Sequence, residues 1–354
     1  MDVALLIIIG VLLFELIVLI HEGGHFVSAK LSGVKVNEFA LGMGPKLFSF
    51  TKGETKYSLR LLPIGGFCSM EGEDEDSDDP RAFGNKAVWK RIIIVAAGAV
   101  MNIVLGLVMT LILVLQQPFY ASTTIAAFDD NSVTSNSIQI GDRLEEIDGY
   151  AIWNARDITF ALGTCQSFSP DIKVNRNGQS IDLGNVPLAT YDNNGTKQIV
   201  RDFYVERVDK NFFSVCGETI GQTVSTVRMV WASLIGLVTG KFGFNDMSGP
   251  VGVASAVTTV ASAGLESSFL DAFNNILNVM MIITINLGIF NLLPIPALDG
   301  GRLFFLLIEL IRRKPIPQKY EGAIHAAGFA LLMVFMLAVT FNDIMRIVTG
   351  SGFG

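Results

Sequence analysis

The chain has 354 residues and a formal net charge of −7. Half of the residues are hydrophobic, only 17% are charged, and the mean hydropathy is +0.48. These values exclude an ordinary soluble globule, and the negative charge argues against nucleic acid as a partner.

Four apolar runs are long enough, or nearly so, to cross a hydrocarbon core of about 30 Å as helices. The first run has no basic segment before it and no small-residue cleavage site after it, so it is predicted to be a membrane helix and not a signal peptide. The sequence therefore predicts a polytopic α-helical membrane protein with about four transmembrane helices, at residues 3–20, 92–115, 276–298 and 323–341.

Lysine and arginine are concentrated between the first two apolar runs and between the last two. Basic loops of this kind stay on the cytoplasmic side of a membrane. We therefore expect a multi-pass plasma-membrane protein in which both termini and the long segment from residue 118 to about 275 lie outside the cytoplasm.

The first apolar run leads into His21-Glu22-Gly23-Gly24-His25. On a helix the two histidines lie one turn apart on the same face, where two imidazoles can bind one cation. Glu22 lies beside them, placed to accept the proton of a water that a zinc ion has acidified. The structural alternative is a pair of polar histidines near a helix end. It is weakened because the chain has only three histidines, and ionisable groups are costly in a membrane span.

Between the first two spans, residues 34–50 and 57–70 are rich in β-branched and aromatic residues and contain several glycine turns. This pattern predicts a β-hairpin element next to the metal motif, associated with the membrane domain. A strand edge near Gly42 and Gly44 could bind an extended peptide as an added strand. A purely structural hairpin explains the pattern equally well.

After the second span the sequence becomes polar. Short strand-like pieces and a helical stretch near residues 155–162 predict a small α+β domain at about 122–188. An amphipathic helix at 218–239 follows, which either lies on the membrane interface or packs on the core. Spacing does not decide whether Cys165 and Cys216 form a disulfide.

A catalytic zinc site needs a third protein ligand, and three acidic residues in or beside apolar segments are candidates. Glu15 lies about two turns, roughly 10 Å, before the histidine motif, which is too far to bind the same ion as His21 and His25. Glu309 is explained by an ion pair with the nearby Arg312 or Arg313. Asp299 follows two prolines that break the helix and free backbone carbonyls, which is tolerated at membrane depth only beside protein or a water-filled cavity. Asp299 is therefore the strongest candidate.

Together, H-E-G-G-H after the first span and N-L-L-P-I-P-A-L-D-G-G in the third resemble the site-2 protease family of intramembrane zinc metalloproteases. Residues 42–45 are similar to that family's G-x-G segment, and residues 248–252 to its G-P-V-G stretch. Residues 140–149 resemble the core of bacterial PDZ domains. Their place between the second and third spans is typical of the bacterial regulator-of-sigma type, here with one PDZ domain.

The resemblance implies a role for each motif residue. One further histidine, His325, opens the last apolar run, and an interfacial position is favoured over a metal role there. For the asparagines implied to bind substrate, interhelical hydrogen bonding is the alternative. The implied residues are His21, His25 and Asp299 as ligands of Zn²⁺, Glu22 as the general base, and Asn286, Asn291, Gly42 and Gly44 as substrate-binding residues.

The resemblance also implies a division of the chain. Residues 1–117 form the first half of the membrane protease core, and residues 248–354 form the second half. Between them lie a PDZ-like extracytoplasmic domain at 118–190 and a linker with an interfacial helix at 191–247.

The implied function is that of an intramembrane zinc metalloendopeptidase with its metal site toward the cytoplasmic side. Its expected substrates are transmembrane segments of single-span proteins, such as an anti-sigma factor or a remnant signal peptide, already trimmed by an upstream site-1 protease. Its other partner is the lipid bilayer. A catalytically silent, membrane-anchored PDZ adaptor is the alternative, although it would not need a complete ligand set. A metal transporter would not need Glu22 or a peptide-binding domain.

Overall fold

The computed structural model describes residues 2–73, 75, 77–193 and 196–349. Within these residues, four helices are long and apolar enough to cross a membrane, which confirms the predicted number of spans. They are α1 (Asp2–Leu31), α2 (Val88–Gln116), α6 (Phe269–Leu292) and α8 (Gln318–Thr349), and the shorter helices are α3 (Ala155–Thr164), α4 (Phe212–Val238), α5 (Pro250–Leu265) and α7 (Asp299–Arg312).

Most strands lie in the two regions where the sequence predicts them, but the last three lie beyond the predicted small domain. β1 (Val36–Lys52) and β2 (Thr55–Met70) form a sheet of their own. The later strands are β3 (Phe119–Phe128), β4 (Arg143–Ile147), β5 (Tyr150–Ala151), β6 (Asp171–Arg176), β7 (Gln179–Asn185), β8 (Thr190–Asn193), β9 (Thr196–Ile199) and β10 (Phe203–Asp209).

The chain divides into two compact units. One unit comprises Met1–Met109 and Ser233–Gly354, and the other comprises Thr110–Ala232. The first unit therefore contains the whole predicted metal motif, from the histidines of α1 to the first residue of α7. The second contains the segment predicted to form a small α+β domain.

β1 and β2 form an antiparallel hairpin that is folded back on itself. Residues 38–41 pair on one side with 56–59 and on the other with 66–69. Gly42 and Gly44 lie in the bend, with φ angles of 81° and 82° that favour glycine. The segment 66–70 is consequently an outer strand of this small sheet.

A charged network fixes the bend of the hairpin. Arg60 donates hydrogen bonds to the Gly44 carbonyl (3.0 Å) and to the Glu38 carboxylate (2.9 Å), and its guanidinium lies over the Phe67 ring. Burial raises the pKa of Glu38, but hydrogen bonds from Ser58, Arg60 and Lys46 outweigh it and lower the pKa to about 2. Glu38 therefore stays ionised and keeps the two halves of the hairpin together at neutral pH.

Glycines bring the membrane helices of the first unit close together. A Cβ at Gly24 of α1 would lie 2.6 Å from the Ala97 carbonyl oxygen of α2. A Cβ at Gly288 of α6 would lie 2.9 Å from the Ala99 carbonyl oxygen. Small residues of this kind let the backbones of membrane helices approach closely, so α1 and α6 both pack tightly on α2.

The second unit is built on a sheet in the order β10-β3-β4-β6-β7, with β5 paired to β4. α3 covers the sheet, and the buried side chains between them form an apolar core. β10 pairs with β3, which extends this sheet beyond residue 190, where the sequence placed the end of the domain. β10 was not predicted because it pairs with a strand about 80 residues earlier in the chain, and pairing over that distance leaves no local sequence pattern.

α4 is attached to the rest of the second unit by a buried polar network. The fully buried Asp157 accepts hydrogen bonds from Ser225 (3.0 Å) and Arg228 (3.1 Å) of α4. In contrast, the apolar side chains of Ile220 and Trp231 are exposed. The sequence allows the apolar face of α4 either to lie on the membrane interface or to pack on the protein core. These exposed side chains do not pack on a core within this chain.

The N-terminus of α5 is capped by an aspartate from α8. Asp343 is fully buried, and its Oδ2 accepts hydrogen bonds from the backbone amides of Gly249 (2.9 Å) and Gly252 (2.8 Å). Amides in the first turn of a helix have no partner within the helix. The Asp343 carboxylate supplies that partner and fixes α8 to α5.

We expect Asp343→Ala to destabilise the first unit by about 1–3 kcal/mol, because it leaves the buried Gly252 amide and the partly buried Gly249 amide without an acceptor. Thermal unfolding of the purified protein in detergent should show a lower Tm. Asp343→Asn should lower the Tm less than Asp343→Ala does, because the side-chain amide oxygen of asparagine still accepts a hydrogen bond. Met345→Ala, at an exposed position on the same helix, is the control. Equal Tm values for Asp343→Ala and Met345→Ala would contradict the prediction.

Candidate metal centre

Three donor atoms from α1 and α7 converge at one point of the first unit. His21 Nε2 and His25 Nε2 are 3.4 Å apart, because the two residues lie one turn apart on α1. Asp299 Oδ2, at the start of α7, lies 3.2 Å from His21 Nε2 and 3.3 Å from His25 Nε2. Among the described residues, these three form the cluster whose geometry suits a metal ion.

Asp299 reaches this point because the helix breaks ahead of it, as the prolines predict. α6 ends at Leu292, and α7 begins at Asp299 after a tight turn. A Cβ at Gly300 would overlap the Leu293 carbonyl, and a Cβ at Gly301 would lie 2.6 Å from the Ile295 carbonyl oxygen. The two glycines therefore let α7 start directly against the turn.

The outer nitrogens of both imidazoles have partners that orient the rings. His25 Nδ1 lies 2.8 Å from the Ile94 carbonyl, which can only accept, so Nδ1 carries the proton and Nε2 presents a lone pair. His21 Nδ1 lies 3.3 Å from the Asn102 side-chain amide. Asn102 is fully buried, and its Oδ1 has no hydrogen-bond partner. Since amide orientation follows from the hydrogen-bond network, Oδ1 accepting from His21 Nδ1–H satisfies both groups.

The three converging atoms fit zinc. With both Nδ1 atoms protonated, two nitrogen lone pairs and a carboxylate oxygen face one another, and Asp299 Oδ2 is buried without a hydrogen-bond donor. A cation between them removes this repulsion. Ligand atoms about 2.0–2.1 Å from a tetrahedral zinc are separated by roughly 3.3 Å, which matches the observed separations of 3.2, 3.3 and 3.4 Å.

The donor atoms border a cavity of about 460 Å³. The Glu22 carboxylate lies at this cavity, close to the Cys68 backbone. Arg302 and Glu73 form an ion pair that also borders it. The lining residues are His21, Glu22, His25, Phe67, Cys68, Ser69, Met70, Glu73, Val95, Ala297, Leu298, Asp299, Arg302 and His325.

The predicted substrate-binding residues are distributed unevenly around this cavity. Asn291 is buried, with its Nδ2 3.4 Å from His21 Nε2. Within the described part of the chain, Asn286, Gly42 and Gly44 are not among the residues that line the cavity. The part of the hairpin at the cavity is instead the outer segment 67–70 of β2.

Several residues around the centre were not singled out from sequence. Asn102 and the Ile94 carbonyl belong to α2, and their contact with α1 depends on helix packing that no local pattern encodes. His325 was expected to be interfacial, but it lines the cavity. The signal that could have found it is the scarcity of histidine, since all three histidines of the chain meet here. Glu309, expected to pair with its neighbours on α7, instead pairs with Arg91 of α2 at 2.5 Å.

Comparison with known proteins gives the family of the chain and several relatives. Residues 9–335 match the family described as Peptidase family M50. A Clostridium acetobutylicum protein provisionally named a zinc metalloprotease is 37% identical over 342 residues, which cover 96% of this chain and 97% of that protein. The Bacillus subtilis protein named regulator of sigma-W protease RasP is 31% identical over 420 aligned positions, covering 95% of this chain and 97% of that protein. Bacillus licheniformis zinc metalloprotease RasP is 30% identical over 421 aligned positions, which cover 95% of this chain and 98% of that protein.

Since the family match covers most of its length, the chain belongs to peptidase family M50. It is a zinc metalloprotease, and the described part of the chain has four helices of membrane-spanning length.

Proposed function

We propose that this chain is an intramembrane endopeptidase that hydrolyses peptide bonds within transmembrane segments of single-span membrane proteins. The observation that carries the proposal is the zinc-sized convergence of His21, His25 and Asp299. The two histidines and Glu22 belong to α1, which is long and apolar enough to span a membrane. We assign the three converging residues as the zinc ligands and Glu22 as the general base.

The catalytic steps follow from the position of each side chain. When bound, zinc polarises the scissile carbonyl and acidifies a water molecule. Glu22, next to His21 in the chain and bordering the same cavity, accepts the proton and transfers it to the leaving amine. Asn291, beside His21, is placed to donate a hydrogen bond to the substrate backbone.

A transmembrane helix must unwind before cleavage, because its backbone groups are occupied in its own hydrogen bonds. We propose that the outer segment 66–70 of β2 holds the unwound substrate as an added strand. This segment borders the cavity and pairs with β1 on one side. Gly42 and Gly44 would then act indirectly, by forming the bend that presents this strand. Asn286 does not line the cavity, and its buried Oδ1 has no hydrogen-bond partner among the described residues.

The substrates are proposed from chemistry and from similarity. The Bacillus subtilis relative is named a regulator of sigma-W, which favours an anti-sigma factor as the substrate class, with remnant signal peptides as a second source of single-span segments. We propose that a site-1 protease trims these substrates first. The charge of the loops supports an orientation with both termini outside and the metal centre toward the cytoplasm.

We propose further that β3 to β10, residues 119–209, form one PDZ-like domain that acts as a size filter or docking surface. In its sequence, Gly141 and Asp142 directly precede β4, and Asp142 pairs with Arg176 at 2.7 Å. The domain division proposed from sequence therefore shifts at one boundary: the PDZ-like domain ends near residue 209, and the linker and interfacial helix follow.

Glu22→Gln tests the general base. The variant should retain zinc, because its ligands are intact, and should cleave a model transmembrane peptide at least about 100-fold more slowly. Zinc content of the purified protein and single-turnover cleavage are the measurements. Asp299→Asn serves as the matched variant and should lose zinc as well as activity. Wild-type cleavage by Glu22→Gln would refute the assignment.

Asn102→Leu tests the orientation of His21. Removal of the partner of Nδ1 should weaken zinc binding by about 10–100-fold, as for other groups that orient metal ligands. Competition with a chromophoric zinc chelator measures this affinity. Asn275→Ala is the control, since Asn275 donates to the Val260 carbonyl away from the centre. An unchanged affinity in Asn102→Leu would show that Asn102 does not orient the ligand.

Excision of the proposed PDZ-like domain tests the filter. Phe119 and Asp209 are paired across β3 and β10, so a short Gly-Ser linker can join residues 118 and 210. The excised protein should cleave untrimmed substrates that the wild type rejects, while both cleave the trimmed form. Comparison of the two substrates in detergent or liposomes provides the measurement. If the excised protein still rejects untrimmed substrates, the domain is not the filter.

A further inference from the structure

The third histidine of the chain holds the turn that leads to Asp299. His325 lies on α8, 28 residues after Ala297, and its Nδ1 accepts a hydrogen bond from the Ala297 backbone amide at 3.1 Å. Both residues line the cavity at the metal centre. Ala297 precedes Asp299 by only two residues, so the position of its peptide affects the position of the carboxylate.

Ala297 has an unusual backbone conformation. Its φ angle is 78°, in the left-handed region that residues other than glycine seldom occupy. Such a conformation persists only when the surroundings impose it. The hydrogen bond to His325 is a contact of this kind, because it satisfies the Ala297 amide in the left-handed geometry.

Further contacts keep α8 and the turn together. A Cβ at Gly328, nearly one helical turn after His325, would overlap Pro296 of the turn. The Phe305 ring of α7 lies 5.9 Å from the His325 ring. Glu321, one turn before His325, pairs with Arg302 of α7 at 3.8 Å. The same face of α8 therefore contacts both the turn and the helix that begins with Asp299.

His325 does not have the geometry of a fourth ligand. Within the described residues, the atoms close enough to share one ion belong to His21, His25 and Asp299. With Nδ1 occupied by an amide that can only donate, the contribution of His325 in this arrangement is that of an acceptor.

We infer that His325 is a positioning residue for the metal centre: its imidazole holds Ala297 in the left-handed conformation and so places the Asp299 carboxylate. The inference rests on the proposed role of Asp299 as a zinc ligand. It assigns the last membrane helix a part in building a centre whose donors all come from α1 and α7.

The experiment measures zinc affinity of the purified full-length protein by chelator competition, together with kcat and KM for a model transmembrane peptide. His325→Ala should weaken zinc binding by about 10–100-fold, and lower kcat at saturating peptide more than it changes KM. His325→Asn should restore affinity to within a few-fold of wild type, because Asn Oδ1 can take the place of Nδ1 as acceptor. Ala297→Gly should recover part of the loss in His325→Ala, since glycine adopts positive φ readily.

Phe329→Ala, one turn further along α8 and exposed, is the matched control and should bind zinc as the wild type does. Wild-type zinc affinity in His325→Ala would overturn the inference. So would an Asn variant as defective as the Ala variant, since a requirement for imidazole chemistry is not a positioning role. If His325→Ala does not fold, His325→Asn decides alone: near-wild-type affinity supports the inference, and a loss of about 10-fold or more overturns it.

The outcomes separate this inference from the proposed function. A wild-type protein that shows no Glu22-dependent cleavage contradicts the proposed function. An active wild type combined with an unaffected His325→Ala contradicts only the role of His325.

Discussion

The rest of the structure depends on one electrostatic constraint: two imidazole nitrogens and a carboxylate oxygen face one another within a membrane domain. When both imidazoles are neutral with the proton on Nδ1, separations of 3.2 to 3.4 Å bring three lone pairs together, and a cation between them removes the repulsion. One helix cannot supply all three donors. Only residues about one turn apart on the same face come close enough to bind one ion, and this gives two donors. A second element must therefore deliver the third donor, and the proline-broken junction between α6 and α7 does so.

Close helix packing follows from the same constraint. For His25 to reach the Ile94 carbonyl, α1 must lie almost in contact with α2, and Gly24 and Gly98 permit this because a Cβ at either position would meet the opposite helix. Gly288 allows α6 to approach α2 from another direction. α2 provides no metal donor, yet its backbone and Asn102 orient both histidines. The orientation of the ligands is thus determined by residues whose only visible feature in the sequence is small size or an isolated amide.

Local features of the fold and the site could be predicted from the sequence, whereas contacts between distant residues could not. The spans, the H-E-G-G-H helix and the break before Asp299 are local, so periodicity and proline chemistry were sufficient. The span limits were less accurate: α1 continues to Leu31 because the polar motif remains helical, and α6 ends at Leu292 because the turn begins before Pro294. The partnership of Asn102 with His21, and of β10 with β3, joins residues about 80 positions apart. No local pattern carries such information, and a resemblance to a family supplies motif residues without supplying their supports.

α8 illustrates how a weakly packed helix can still be fixed. Only 6% of its most apolar window is buried within the chain, so apolar contacts contribute little to its orientation. Its polar contacts, His325 to Ala297 and Asp343 to Gly249, are separated by 18 residues, which is five helical turns or about 27 Å. Five full turns place both side chains on the same face of the helix. A rotation of α8 by one residue, about 100°, would break both contacts together, whereas its lipid-exposed surface would change little. Polar contacts at the two ends therefore set the rotation of this helix, and one of them lies at the metal centre.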